Sequence, residues 1–210
     1  MGKYINNSKD NGLLIVISGP SGAGKGTVCK SLLEESNNLK LSISVTTRKP
    51  RIGEKEGINY YFIDHKKFNK MLNDGDLLEY AKVYDNYYGT PKEKVLKELS
   101  LGNDVILEID IQGALKVKSK FPDGVFIFIM PPSMEELKNR ITNRGTETEN
   151  ELSKRFKASY EEINYISKYN YVVINDKIHE AVKKVKSIII AEKCRVDRIN
   201  SKLEDIKGGK

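Results

Sequence analysis

Histidine and cysteine are scarce in this 210-residue chain, with two of each. His65 and His179 are too few for a histidine-based metal centre. Cys29 and Cys194 lie far apart in sequence and in no metal-ligand spacing, so free thiols in a reducing, cytosolic compartment are expected rather than a disulfide framework. Long apolar runs are also missing. Val125 to Met130 is among the longest and falls far short of a membrane span. The polar start MGKYINNSKDNG lacks the apolar stretch of a signal peptide, and Asn6 stands where a myristoylation signal wants Ser or Thr. Arginine is the last scarcity: seven residues against 29 lysines.

A net charge of +7 points to an anionic partner, nucleic acid or a phosphorylated small molecule, unless it is only a solvated lysine-rich surface. The arginines are more informative than the sum. Five of the seven, Arg48, Arg51, Arg140, Arg144 and Arg155, fall in two short segments. A planar guanidinium fork in a chain that otherwise uses lysine indicates bidentate grip on phosphate or carboxylate. With 39% hydrophobic residues, the length suits one substantial α/β domain carrying inserted lobes.

Leu13 to Ser18 reads as a buried strand, followed by the glycine-rich stretch GPSGAGKGT and a helix to about Ser36. A strand is expected near 41–45. The segment from about 44 to 94 reads as a small α+β lobe containing NYYFI, a short helix with Phe68, Met71 and Leu72 inward, and LLEYAKV. Thr90-Pro91-Lys92-Glu93 has capping-box spacing and predicts a helix to about Leu101. Val105 to Ile109 and Val125 to Met130 read as parallel strands joined by a crossover helix after Gly113. Ser133 and Thr148 cap two further helices, running to about Gly145 and about Lys168, and a buried strand at Tyr171 to Ile174 precedes a long helix from Asp176.

Glycines between a buried strand and a helix aim successive backbone N–H groups into one concavity at the positive end of the helix dipole. Gly19, Pro20, Ser21, Gly22, Ala23, Gly24, Lys25, Gly26 and Thr27 therefore form a candidate polyphosphate cradle, with Lys25 directed to the β- and γ-phosphates. The spacing matches the Walker A pattern except at Gly26, where a hydroxyl residue is usual. Thr27 is the nearest replacement for that hydroxyl. Glu108 and Asp110, two apart at the C-terminal end of a strand, are the candidate carboxylates at the ligand edge, with helix capping as the simpler role for Asp110.

From Leu13 to Ala191 the chain resembles the guanylate kinases. The resemblance rests on SGPSGAGKGT, SISVTTRKPRIGEKEGINYYF, LLEYAKVYDNYYGTP, ILEIDIQG and LKNRITNRGTE with ELSKRF, in that order. It implies an α/β fold with a P-loop NTPase-type parallel sheet flanked by helices, an inserted GMP-binding lobe and a helical lid. The implied single domain divides into a core at approximately 12–43, 95–133 and 168–207, a lobe at 44–94 and a lid at 134–167. It further implies transfer of the ATP γ-phosphoryl group to GMP or dGMP. Arg48, Arg51, Tyr60 and Tyr88 would hold the GMP phosphate, Ser44, Glu79 and Thr90 would face the guanine, and Asp110 would also belong to the GMP-binding set. Lys25, Arg48, Arg140, Arg144, Arg155 and Asp110 would serve the transfer, and Mg²⁺ would be held near Thr27 and Asp110. ATP and GMP are the implied partners, without nucleic acid or membrane, and the oligomeric state stays open. Another nucleotide specificity, AMP or UMP, and a non-catalytic interaction module are the alternatives.

Overall fold

The computed structural model describes residues 11–83, 85–142 and 149–199. Strand β1 (Leu14–Ser18) is buried along its whole length because both of its faces are covered. Leu13, Ile15 and Ile17 enter one apolar cluster, while Leu14 and Val16 enter another on the opposite side, as period-two alternation requires. Helix α1 (Lys25–Glu34) follows the glycine loop, and β2 (Leu39–Leu41) brings the chain back.

The strand expected at 41–45 does not form as one element. Ser42 N–H still donates to Ile106 O in the core, whereas the Ser44 carbonyl already accepts from Tyr61 N–H in a second sheet. The chain changes sheets between them. That second sheet comprises β3 (Val45–Thr46), β4 (Tyr61–Phe62), β5 (Leu77–Val83) and β6 (Asn86–Pro91), ordered β4-β3-β6-β5. Helix α2 (His65–Asn73), capped by the Asp64 carboxylate accepting from Lys67 N–H, inserts the fully buried Phe68 against Val45 and Leu77.

After helix α3 (Lys92–Ser100) the chain returns to the core through β7 (Asp104–Glu108), α4 (Ile111–Lys120) and β8 (Val125–Met130). Helix α5 (Met134–Thr142) is capped by the Ser133 hydroxyl, as expected, and α6 (Glu149–Ile163) follows the undescribed residues, which include the predicted cap Thr148. A short 3₁₀ turn, β9 (Tyr171–Ile174) and α7 (Ile178–Lys193) complete the fold. The core sheet is parallel throughout, in the order β2-β7-β1-β8-β9. Successive strands therefore leave β1 on both sides, and ligands in such sheets bind beyond the C-terminal ends at that reversal. Ser18, Glu108 and the glycine loop all lie there.

Candidate active site

The loop after β1 is held from below by a residue the sequence reading missed. Asn175, just past β9 and almost wholly buried, donates its side-chain amide to Ala23 O at 2.8 Å. Gly24 has φ 87°, and a β-carbon on it would come within 2.4 Å of that amide nitrogen. Only glycine satisfies both the left-handed backbone and the close approach. The Asn175 carbonyl also accepts from Arg140 at 3.1 Å, while Glu136 orients the same guanidinium at 2.7 Å. One buried asparagine thus ties the loop to α5. Apart from its place at the end of an apolar strand, nothing in the local sequence marks it.

Lys25 opens α1 and donates to Gly19 O at 2.6 Å and Pro20 O at 3.1 Å, which keeps its ammonium over the loop. From α6, Arg155 donates to the Ser21 hydroxyl at 3.1 Å. Arg144 lies outside the described residues. A β-carbon on Gly26 would stand 3.5 and 3.7 Å from the two Glu108 carboxylate oxygens. Where the usual motif has a hydroxyl, this chain therefore sets an acid across an open space. Burial raises the Glu108 pKa and the Lys25 charge opposes the rise. A carboxylate facing a phosphate cradle fits a hydrated Mg²⁺ carried by a nucleotide. Among the described residues no three His, Cys, Asp or Glu side chains form a metal cluster by themselves. Thr27 is exposed on α1. The Tyr169 hydroxyl is hydrogen-bonded with Ser18 at the end of β1, the Glu162 carboxylate accepts from Ser21 N–H in the loop, and the charges of Asp110 and Glu162 reach Tyr169.

In the second sheet, Arg48 gives both terminal nitrogens to Glu54, at 3.0 and 2.9 Å, and its Nε to the Tyr88 hydroxyl at 3.3 Å. Glu54 also accepts from Arg51 N–H at 2.7 Å. Glu54 therefore engages both arms of the fork and ties it to the backbone of the same basic loop. This pairing lowers the Glu54 pKa and raises that of Arg48. Tyr60 packs edge-on against Tyr88, with the Arg48 guanidinium 5.5 Å from its ring centre. Burial, and next the charge of Glu108, push the Tyr60 hydroxyl up to about 12, so it remains a neutral donor. Arg51 itself is exposed, and Ser44 joins the group through its backbone bond to Tyr61.

Glu79 sits at the inner end of this surface and is only 4% exposed. Strands β5 and β6 pair Leu77 with Pro91 and Tyr80 with Gly89, so Leu78 and Glu79 together oppose Thr90. Leu77 packs into the cluster of the second sheet and Leu78 into a cluster of the core, and at the bulge Glu79 is buried next to them. The Thr90 hydroxyl donates to Glu79 Oε1 at 2.7 Å. The capping box expected at Thr90 therefore does not form: the position before α3 is Pro91, with no side-chain cap, because the threonine hydroxyl is committed to the buried acid. Asp110 does cap its helix, accepting from Gly113 N–H at 2.7 Å, and its charge reaches Glu79. The Glu79 pKa rises to about 7, first from burial and then from Asp110, with the Thr90 bond opposing.

The glycine loop thus ends β1 of the core sheet, while Arg48, Tyr60, Tyr88 and the buried acid Glu79 cluster on the second sheet. A family model described as guanylate kinase matches residues 11–192 of the chain. The chain belongs to the guanylate kinase family. It is 70% identical over 190 residues to the guanylate kinase of Caldanaerobacter subterraneus subsp. tengcongensis, covering 90% of this chain and 92% of that protein. Identity to the Clostridium tetani guanylate kinase is 64% over 194 residues, covering 92% and 93%. The crystal structure of guanylate kinase from Anaplasma phagocytophilum superposes with a TM-score of 0.77 at 37% identity, covering 90% of each chain. The guanylate kinase family motifs at the glycine loop, at Arg48 and at Glu79 thereby acquire a common fold as their frame.

Proposed function

We propose that this protein is an ATP:GMP phosphotransferase, using Mg²⁺ and accepting dGMP as well as GMP. The observation that carries the base assignment is the buried Glu79 carboxylate beside Thr90. Ionised, it accepts from both N1–H and N2–H of guanine, whereas adenine presents an unprotonated N1 at that edge and leaves the buried charge unpaired. Ser44, Thr90 and Asp110 complete the base end. Arg48, Arg51, Tyr60 and Tyr88 take the GMP phosphate.

The chemistry asks for positive charge rather than a general base. A GMP phosphate has its second pKa near about 6, so at neutral pH its attacking oxygen is already ionised. That oxygen forms a bond to the γ-phosphorus, the bond to the β–γ bridging oxygen breaks, and ADP leaves with the electron pair. Lys25 and the amides of residues 19–27 hold the donor, while Arg140, Arg144 and Arg155 meet the migrating group from the lid. Glu108, Asp110 and Thr27 are the residues that would hold Mg²⁺ through water, and the ion would supply positive charge to the triphosphate. Closure of the lobe, at approximately 44–94, and the lid, at 134–167, on the core excludes water as a competing acceptor. The two cysteines are unpaired, which suits a reducing cytoplasm. Among the described residues no helix is long and apolar enough to cross a membrane.

A steady-state comparison of GMP, dGMP, AMP and UMP tests the assignment. GMP is expected first and dGMP next; a preference for AMP overturns the role of Glu79. Arg48→Lys is expected to lose about 1.5–3 kcal/mol, roughly ten- to a hundredfold in kcat/KM for GMP, because an ammonium cannot fork two acceptors at once. Unaltered kinetics would remove Arg48 from the phosphate end.

A further inference from the structure

Gly113 stands in the first turn of α4, buried and with an ordinary negative φ, so neither a turn nor a left-handed backbone calls for glycine there. Alanine favours a helix more. The reason for glycine lies across the site. A β-carbon on Gly113 would meet Glu79 Oε2 at 2.5 Å, Glu79 Cδ at 3.1 Å and Asp110 Oδ1 at 3.4 Å, the two carboxylates of the base end. The backbone on either side of Glu79 is tied to α4 as well as to β6. Lys120, from α4, donates to Leu78 O at 2.7 Å and Lys116 donates to Tyr80 O at 2.5 Å, so the same helix grips β5 on either side of Glu79. The other carboxylate oxygen is tied to Thr90. Any β-carbon at 113 must therefore be accommodated by turning the Glu79 side chain.

We propose that Gly113 is a specificity-determining position: its missing side chain admits the Glu79 carboxylate to the place where it meets the acceptor base. This inference rests on the reading that Glu79 recognises guanine. Gly113→Ala should swing the carboxylate off Thr90 and away from the base edge, leaving the glycine loop and the phosphate-binding arginines in place. The defect should appear in GMP recognition and not in ATP recognition.

The test uses the full chain and three variants: Gly113→Ala, Glu79→Asp and Glu79→Asp/Gly113→Ala. For Gly113→Ala, KM for GMP should rise by about tenfold or more with KM for ATP within about twofold. Shortening the acid by one methylene makes room for the new methyl group, so adding Gly113→Ala to Glu79→Asp should cost little further. If Gly113→Ala leaves KM for GMP unchanged, or costs the same whether or not the acid is shortened, the proposal fails while the role of Glu79 stands. If Glu79→Asp alone leaves GMP kinetics unchanged, the reading of Glu79 fails and the proposal with it. Should Gly113→Ala unfold early, adding it to Glu79→Asp should lower the melting midpoint less than adding it to wild type does, and an equal loss in both backgrounds would overturn the clash.

Discussion

Lys25→Ala should lower turnover by about 10²–10³-fold with GMP and dGMP alike, because the preorganised positive charge at the transferring phosphoryl group is lost for every acceptor. The surroundings make the loss larger than that of one contact. The Lys25 ammonium opposes the charges of Glu108 and Glu162, two carboxylates whose pKa values burial has already raised. Without it, the site meant for a triphosphate keeps its acids and loses the cation that offsets them. Calorimetric titration with an ATP analogue should show weaker binding, and steady-state rates should fall in the same proportion with both acceptors. Wild-type turnover in this variant would show that the cradle has been misassigned.

Glu79→Gln should have opposite effects on activity and on stability. A glutamine turns a donor toward one of the two guanine N–H groups, so kcat/KM for GMP should fall by about a hundredfold. The pH profile should change with it. In the free protein the acid titrates at about 7 instead of 4.5, so kcat/KM for GMP should decline below neutrality in the wild type, by about tenfold per unit at the limit. The GMP phosphate titrates nearby, and comparison with Glu79→Gln separates the two contributions. For stability the sign is the reverse. Between pH 4.5 and about 7 the folded chain binds a proton that the unfolded chain does not, so this group's contribution is fully favourable below that window and is lost as pH rises through it. Above pH 7 the buried charge costs on the order of 3 kcal/mol. Thermal unfolding at pH 8 without ligand should therefore show a higher midpoint for Glu79→Gln than for wild type. An unchanged GMP-to-AMP ratio together with an unchanged midpoint would remove Glu79 from the base end.

What could be read in the chain before folding was what is local. The strand–loop–helix unit is one: Leu14–Ser18, the glycine loop and Lys25–Glu34 follow one another directly in sequence. The Ser133 cap and the strand at Leu77 to Val83 are others, since each depends on neighbours a few residues away. The errors came where a side chain had a distant competitor. Thr90 has capping-box spacing, yet a buried carboxylate eleven residues back takes its hydroxyl. The apolar stretch at 41–45 resembles one strand but serves two sheets, because Ile106 claims its start and Tyr61 its end.

The sequence by itself determined that a glycine loop joins a buried strand to a helix, and its spaced motifs identified a guanylate kinase, because both signals are carried by adjacent residues. Only the tertiary structure decided that Glu54 engages the Arg48 fork, that Asn175 bolts the loop to Arg140, and that a bulge buries Glu79 against Gly113 of α4. Those contacts join residues remote along the chain. Their energy comes from burial and close approach, which exist only once the sheets have packed.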